Sequence, residues 1–165
     1  MRHILSVLVE NRAGVLSRTA GLFARRGFNI ESLAVGETDD PTVSRMTIVT
    51  QGDERILEQV EKQLNKQIDV IKVRRLEPET CTRRELALIK VNATPLTRGQ
   101  ITDICSIMKA EIVDLSPTTL TIEFADRPER MRMLLSMVES YGIVEIMRTG
   151  MVAMEKGSAA ISAPD

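Results

Sequence analysis

Tryptophan is absent from this chain, tyrosine occurs once, at Tyr141, and phenylalanine three times, at Phe23, Phe28 and Phe124. So few rings exclude a surface that stacks nucleic-acid bases on aromatic side chains. An excess of charge of either sign is missing too. Twenty-two Lys and Arg stand against 23 Asp and Glu, a formal net charge of −1. No field is left to hold a phosphate backbone or an anionic membrane surface, so neither nucleic acid nor membrane is an expected partner. Histidine is limited to His3, and Cys81 and Cys105 form no CxxC pair. That excludes both a metal-ligand spacing and a disulfide framework, and the two cysteines read as reduced thiols. Long apolar runs are lacking as well: Ile4 to Val9, broken by Ser6, falls far short of the roughly 20 residues that cross a bilayer. The Met1 start carries no basic flank followed by a signal-like apolar stretch, and the chain is expected to stay in the cytoplasm.

Enzyme motifs are missing in the same way. The sequence contains no GxGxxG, no GxxxxGKS/T, no GxSxG and no HExxH. With one histidine, acid–base work would fall to carboxylates such as Asp39 and Asp40, which sit in a turn-forming string; no catalytic residue is assigned. His3, at a strand start, reads as a surface or edge residue, and Arg25-Arg26 as a solvated helix end.

What is present is the composition of a globular protein, 43% hydrophobic and 27% charged, in 165 residues that suffice for one ordinary core or two small ones. His3 to Val9 reads as a buried strand ending at the polar turn Glu10-Asn11-Arg12. Between Gly14 and Arg26, Val15, Leu16, Thr19, Ala20, Leu22 and Phe23 recur at spacings of three and four, the pattern of one buried helical face, and Gly27 stops the helix. Phe28 to Val35 and Val43 to Thr50 read as strands joined by a hairpin loop over Glu37 to Thr42. Asp53 caps a second helix carrying Ile56, Leu57, Val60 and Leu64 on one face, and Val70 to Leu76 is a fourth strand. The order β-α-β-β-α-β is ferredoxin-like.

The same grammar returns in Glu85 to Ala93, Ile101 to Ala110, Ile112 to Leu115, Leu120 to Phe124, Glu129 to Ser140 and Ile143 to Arg148, with a hairpin turn at Ser116-Pro117. The fold class is therefore α+β, two ferredoxin-like βαββαβ domains in tandem. Their bounds are 1–77 and 84–152, with a linker over 78–83 and a flexible tail over 153–165. RNA-recognition modules share this topology, but the central strand Val43 to Thr50 has no aromatic residue and Phe23 lies on a helical face. Met131 and its leucine neighbours read as core; Met108, Met133 and Met137 complete a set of helix methionines that would also suit an adaptable contact surface.

The stretch with most chemistry is Glu10-Asn11-Arg12-Ala13-Gly14-Val15-Leu16, a polar turn between a buried strand and a helix start. Unpaired backbone N–H groups and the positive end of the helix dipole suit a carboxylate there. Gly14 lets the backbone take positive φ or approach a ligand closely, and Asn11 carries one acceptor and two donors. Turn geometry alone also favours Asn and Gly, so the turn without its context is a weak pointer.

The context is the string ILSVLVENRAGVLSRTAGLFARRGFNIESLAVG, which resembles the opening of an ACT domain, a small-molecule sensor of amino-acid metabolism. With SRMTIVTQGD and a second domain of this length, the chain resembles the regulatory-subunit family of bacterial acetolactate synthase, closely over residues 2–76 and more loosely over 84–152. That resemblance implies a non-catalytic subunit that activates a separate large catalytic subunit and confers feedback inhibition by valine in branched-chain amino-acid biosynthesis. It further implies no cofactor on this subunit, with thiamine diphosphate, FAD and magnesium on the catalytic partner. Finally, it implies a homodimer through the ACT domains with valine at the interface. Asn11, Ala13, Gly14, Val15 and Leu16 of one chain would face Asn29 and Ile30 of the other, with Ser17 supporting in the first helical turn. Val15, Leu16 and Ile30 would offer the isopropyl group an apolar wall. At about 0.8 kcal/mol per buried methyl, valine should then be preferred to alanine by about 1.6 kcal/mol. The choice among valine, leucine and isoleucine rests on the family alone.

Overall fold

A computed structural model describes residues 2–162. It divides into two compact units: the chain up to Thr82 together with the stretch from Met151, and Arg83–Gly150.

In the first unit the order is β1 (Arg2–Glu10), α1 (Val15–Arg25), β2 (Ile30–Glu37), β3 (Val43–Gln51), α2 (Glu54–Leu64) and β4 (Val70–Leu76). The sheet order is β2-β3-β1-β4, antiparallel throughout, which is the ferredoxin-like arrangement expected. Strand β1 is central and buried on both faces, which is why its sequence is apolar almost without alternation. Leu5, Val7 and Val9 point to the helices, where they meet Val15, Leu22 and Phe23 of α1 and Leu57, Val60 and Leu64 of α2. The capping chemistry follows the sequence. Asp53 accepts a hydrogen bond from the Ile56 N–H at 2.8 Å, and Gly27, at φ 67°, closes α1 while the Phe28 N–H reaches back to the Phe23 carbonyl. That closure holds Phe28 outside β2, so the strand starts at Ile30 and runs to Glu37, two residues later than its periodicity suggested. His3 departs from expectation: it is buried, with Nε2 3.0 Å from the Gly52 carbonyl oxygen.

The second unit repeats the topology with β5 (Cys81–Asn92), α3 (Arg98–Met108), β6 (Glu111–Leu115), β7 (Thr119–Asp126), α4 (Pro128–Val138), a single 3-10 turn at Glu139–Tyr141, and β8 (Ile143–Arg148). The strand order is β6-β7-β5-β8. Its core joins Ala87, Ile89 and Val91 to Ile101, Cys105, Met108, Met131, Leu134 and Val138, so Met108 and Met131 are core residues while Met133 and Met137 are exposed.

Two expectations about the connections are corrected. The segment 78–83, expected as a linker, already contains the start of β5 at Cys81. The tail expected from residue 153 begins instead as a strand, β9 (Val152–Glu155), which pairs with β5. Residues 163–165 of that tail lie outside the described residues. Met151 and Ala153 alternate inward to join Ile4, Val49, Leu76 and Cys81, closing a second small core against the first sheet. Polar contacts fasten this strap: Met151 N–H to Ser32 Oγ at 2.9 Å, Arg45 Nη2 to the Ala153 carbonyl at 3.0 Å, and an ion pair of Arg74 with Glu155. Four residues are too few for a period of two to stand out from irregular chain.

Candidate functional site

The turn singled out by the sequence leaves β1 at Glu10 and enters α1 at Val15. Its backbone is pinned where it leaves the strand. The Glu10 N–H donates to the Asp69 carbonyl at 2.9 Å and the Asn11 N–H to the Thr42 carbonyl at 2.7 Å. The Asn11 side chain turns the same way, its Nδ2 donating to the Pro41 carbonyl at 2.8 Å and to Glu37 Oε1 at 3.2 Å. Both amide donors are thus spent on the β2–β3 hairpin, and the atom Asn11 can offer a ligand is Oδ1, an acceptor suited to an ammonium group. The hairpin is itself stiffened by Asp40, whose Oδ1 accepts from the Thr42 N–H at 2.8 Å and the Thr42 hydroxyl at 2.7 Å. Those bonds, the one from the Thr42 side chain foremost, hold the Asp40 carboxyl below its ordinary value. Asp39 and Asp40 therefore belong to the turn.

Gly14 is the N-cap of α1, at φ 86° in the left-handed region, with no side chain capping the helix. The Val15 N–H reaches the Arg12 carbonyl at 3.3 Å and the helical ladder starts with Arg18 N–H to the Gly14 carbonyl at 2.9 Å. The N–H groups of Leu16 and Ser17 have no helical carbonyl four residues behind them, which leaves them as donors at the open end of the helix. Ala13, Gly14, Leu16 and Ser17 are all exposed. Val15 differs from expectation: at 3% exposure its isopropyl group is part of the core, so it cannot wall a ligand, and what it contributes is the anchoring of the turn. Leu16, at 46%, is the apolar side chain this turn does present.

Sequence reasoning passed over Arg18. It sits one helical turn beyond Gly14, and a Cβ built on Gly14 would lie 2.8 Å from Arg18 Nη1. The guanidinium therefore covers the glycine. Its Nε and Nη2 are held by Asp69 Oδ2 at 2.8 and 2.7 Å, and Asp69 is buried. A spacing of four between Gly14 and Arg18 was visible in the sequence; the carboxylate that aims the arginine, 51 positions away, was not.

Asn29 and Ile30 are not brought to this turn within one chain. Ile30 pairs with Thr50, which pairs with His3, and the Asn29 carbonyl accepts from the Thr50 hydroxyl at 2.7 Å. Asn11 follows Glu10 at the other end of β1. From His3 to Glu10, at about 3.3 Å per residue, the two groups are roughly 23 Å apart. Among the described residues, no group of three or more His, Cys, Asp or Glu is placed to hold a metal ion, and no helix is long and apolar enough to cross a membrane.

Residues 5–72 match the family model described as an AHAS small subunit-like ACT domain, and residues 84–157 match that of the small subunit of acetolactate synthase. The second match takes in β9 and shows that the family pattern, loose to the eye beyond residue 84, continues through the second unit. A probable acetolactate synthase small subunit of Methanothermobacter thermautotrophicus is 50% identical over 157 residues, 94% of each chain. The acetolactate synthase small subunit of Mycolicibacterium smegmatis is 50% identical over 161 residues, 98% of this chain and 95% of that one. The crystal structure of the acetolactate synthase small subunit from Thermotoga maritima superposes with a TM-score of 0.89 at 37% identity, covering 96% of this chain and 99% of the other.

Proposed function

The chain belongs to the family of acetolactate synthase small subunits, and from that premise we propose that it activates a large catalytic subunit and makes it sensitive to valine. The observation that carries the sensing half is the turn at Asn11–Ser17: an exposed helix start opened by a positive-φ glycine, with a guanidinium beside it and, at the strand end of the turn, an asparagine whose amide donors are already used. Those groups complement the two charges of a free α-amino acid, and Leu16 offers apolar contact to its side chain.

The rest of the site comes from a second copy. Strand β2 is an edge of its sheet. Edge strands invite pairing, and two β2 strands joined antiparallel about a two-fold axis place the Ile30 end of one beside the Glu37 end of the other. Glu37 is bonded to Asn11. Asn29 and Ile30 of the second copy would thereby reach the turn that their own chain keeps them from. Thiamine diphosphate, FAD and magnesium belong, on this reading, to the catalytic subunit, and this subunit's contribution is a coupling between effector and activity, typically 1–3 kcal/mol.

The test is calorimetric titration of the full chain with valine, paired with turnover of the reconstituted holoenzyme. Saturable binding and valine inhibition are expected in the wild type. Both should be lost in Gly14→Asp, whose carboxylate would sit beside Arg18, while activation without valine is kept. Activation without any response to valine, leucine or isoleucine would refute the sensing half.

A further inference from the structure

We infer that Arg18, aimed by Asp69, is the residue that recognises the carboxylate of the effector and so restricts the site to free amino acids; this rests on the sensing reading above. The inference stands on how the arginine is held. Two of its nitrogens, Nε and Nη2, are turned inward to one oxygen of a buried aspartate. The third, Nη1, takes part in neither contact and lies over Gly14, where a Cβ would meet it at 2.8 Å. Half of the side chain remains exposed, so the cation is reachable from solvent.

Gly14 is already called for by its left-handed φ of 86°, and its lack of a side chain also leaves the guanidinium room to lie against the turn. Asp69 is itself supported from both β1 and the helix. The Asp69 carbonyl accepts from the Glu10 N–H at 2.9 Å, Gln67 Nε2 donates to the Arg18 carbonyl at 3.3 Å, and the Thr19 hydroxyl donates to Gln67 Oε1 at 3.4 Å. The loop before β4 is thus tied to the end of β1 at Glu10 and to α1 at Arg18 and Thr19, and holds the guanidinium in place before any ligand arrives. A planar guanidinium with one free edge suits a carboxylate, and preorganisation spares the ordering that a free arginine would require.

Two ligands separate recognition from mere support: L-valine and L-valinamide, which keeps the side chain and amine but replaces the carboxylate by a neutral amide. Calorimetric titration of the full chain is carried out for the wild type, Arg18→Gln and Arg18→Lys. Loss of a hydrogen bond to a charged group should weaken valine by about tenfold to a hundredfold in Arg18→Gln. Valinamide binding should change by less than about threefold, collapsing the preference for valine, and Arg18→Lys should restore part of it. Should Arg18→Gln misfold because Asp69 is left unpaired, Arg18→Gln with Asp69→Asn is measured in its place. Equal weakening of both ligands would reduce Arg18 to a structural role and overturn the proposal, as would unchanged affinity for both. Wild-type binding that Gly14→Asp abolishes and Arg18→Gln leaves intact would overturn this inference alone; a wild type that binds no amino acid would overturn the sensing reading with it.

Discussion

Replacing Met151 by alanine should destabilise the first unit and leave the second untouched, although Met151 directly follows the second unit in sequence. The side chain is 7% exposed and packs with Ile4, Val49, Leu76, Cys81 and Ala153. Truncating a buried methionine to alanine costs about 2–5 kcal/mol. The strap is one strand thick, with Val152 and Met154 exposed on its outer side, so neighbours can settle into the space and the lower part of that range applies, about 2–3 kcal/mol. For a unit of about 100 residues this lowers the melting temperature by roughly 10 °C or more. Met154→Ala is the control: the same strand and the same deletion at 60% exposure, expected within about 0.5 kcal/mol of wild type. Far-UV circular dichroism follows both units, while the fluorescence of Tyr141, the sole tyrosine, follows the second. Equal stability of the two variants, or a loss that appears first in the Tyr141 signal, would refute the assignment of β9 to the first unit's core.

Asn11→Ala removes the bonds to Pro41 and Glu37 together with the acceptor Oδ1, and should cost about 1 kcal/mol of stability while weakening valine at least tenfold by titration. Thr42→Val should raise the Asp40 carboxyl part of the way back toward its ordinary value, since the backbone bond from residue 42 remains, read from its chemical shift against pH. Since folding lowers that value in the wild type, the associated stability is present above the ordinary carboxylate range and lost as the pH falls through the lowered folded-state value, and the variant should show less of this loss. Burial raises the Cys105 thiol, so it should resist alkylation at pH 8 in the native chain and react on unfolding; prompt modification without unfolding would contradict its place in the core.

Most of the fold was written in short-range pattern. The two helical faces, the Asp53 cap, the Gly27 stop and the last strand of each domain all follow from residues within a few positions of each other. What escaped depends on long-range partners. His3 is polar and near the chain start, yet it is buried, with its ring against the Gly52 carbonyl just past β3. The strap escaped because four alternating residues carry no period without the sheet they lie on. In the site, Asn11 and Gly14 announce themselves by residue type. The exposure that separates Leu16 from Val15 depends on which side of α1 meets the sheet, and adjacent apolar residues at a helix start look alike in sequence. The role of Arg18 needed the carboxylate of Asp69, which the topology alone brings within reach.

The roughly 23 Å between Asn11 and Asn29 has a genetic reading. If a whole site draws one asparagine from each of two copies, Asn11→Ala and Asn29→Ala are lesions in different halves of the same site. In a mixed dimer both lesions fall on one site and the other is restored, so randomly assorted chains regain about one intact site in four. Two proteins, each deaf to the effector, would hear it again when refolded together.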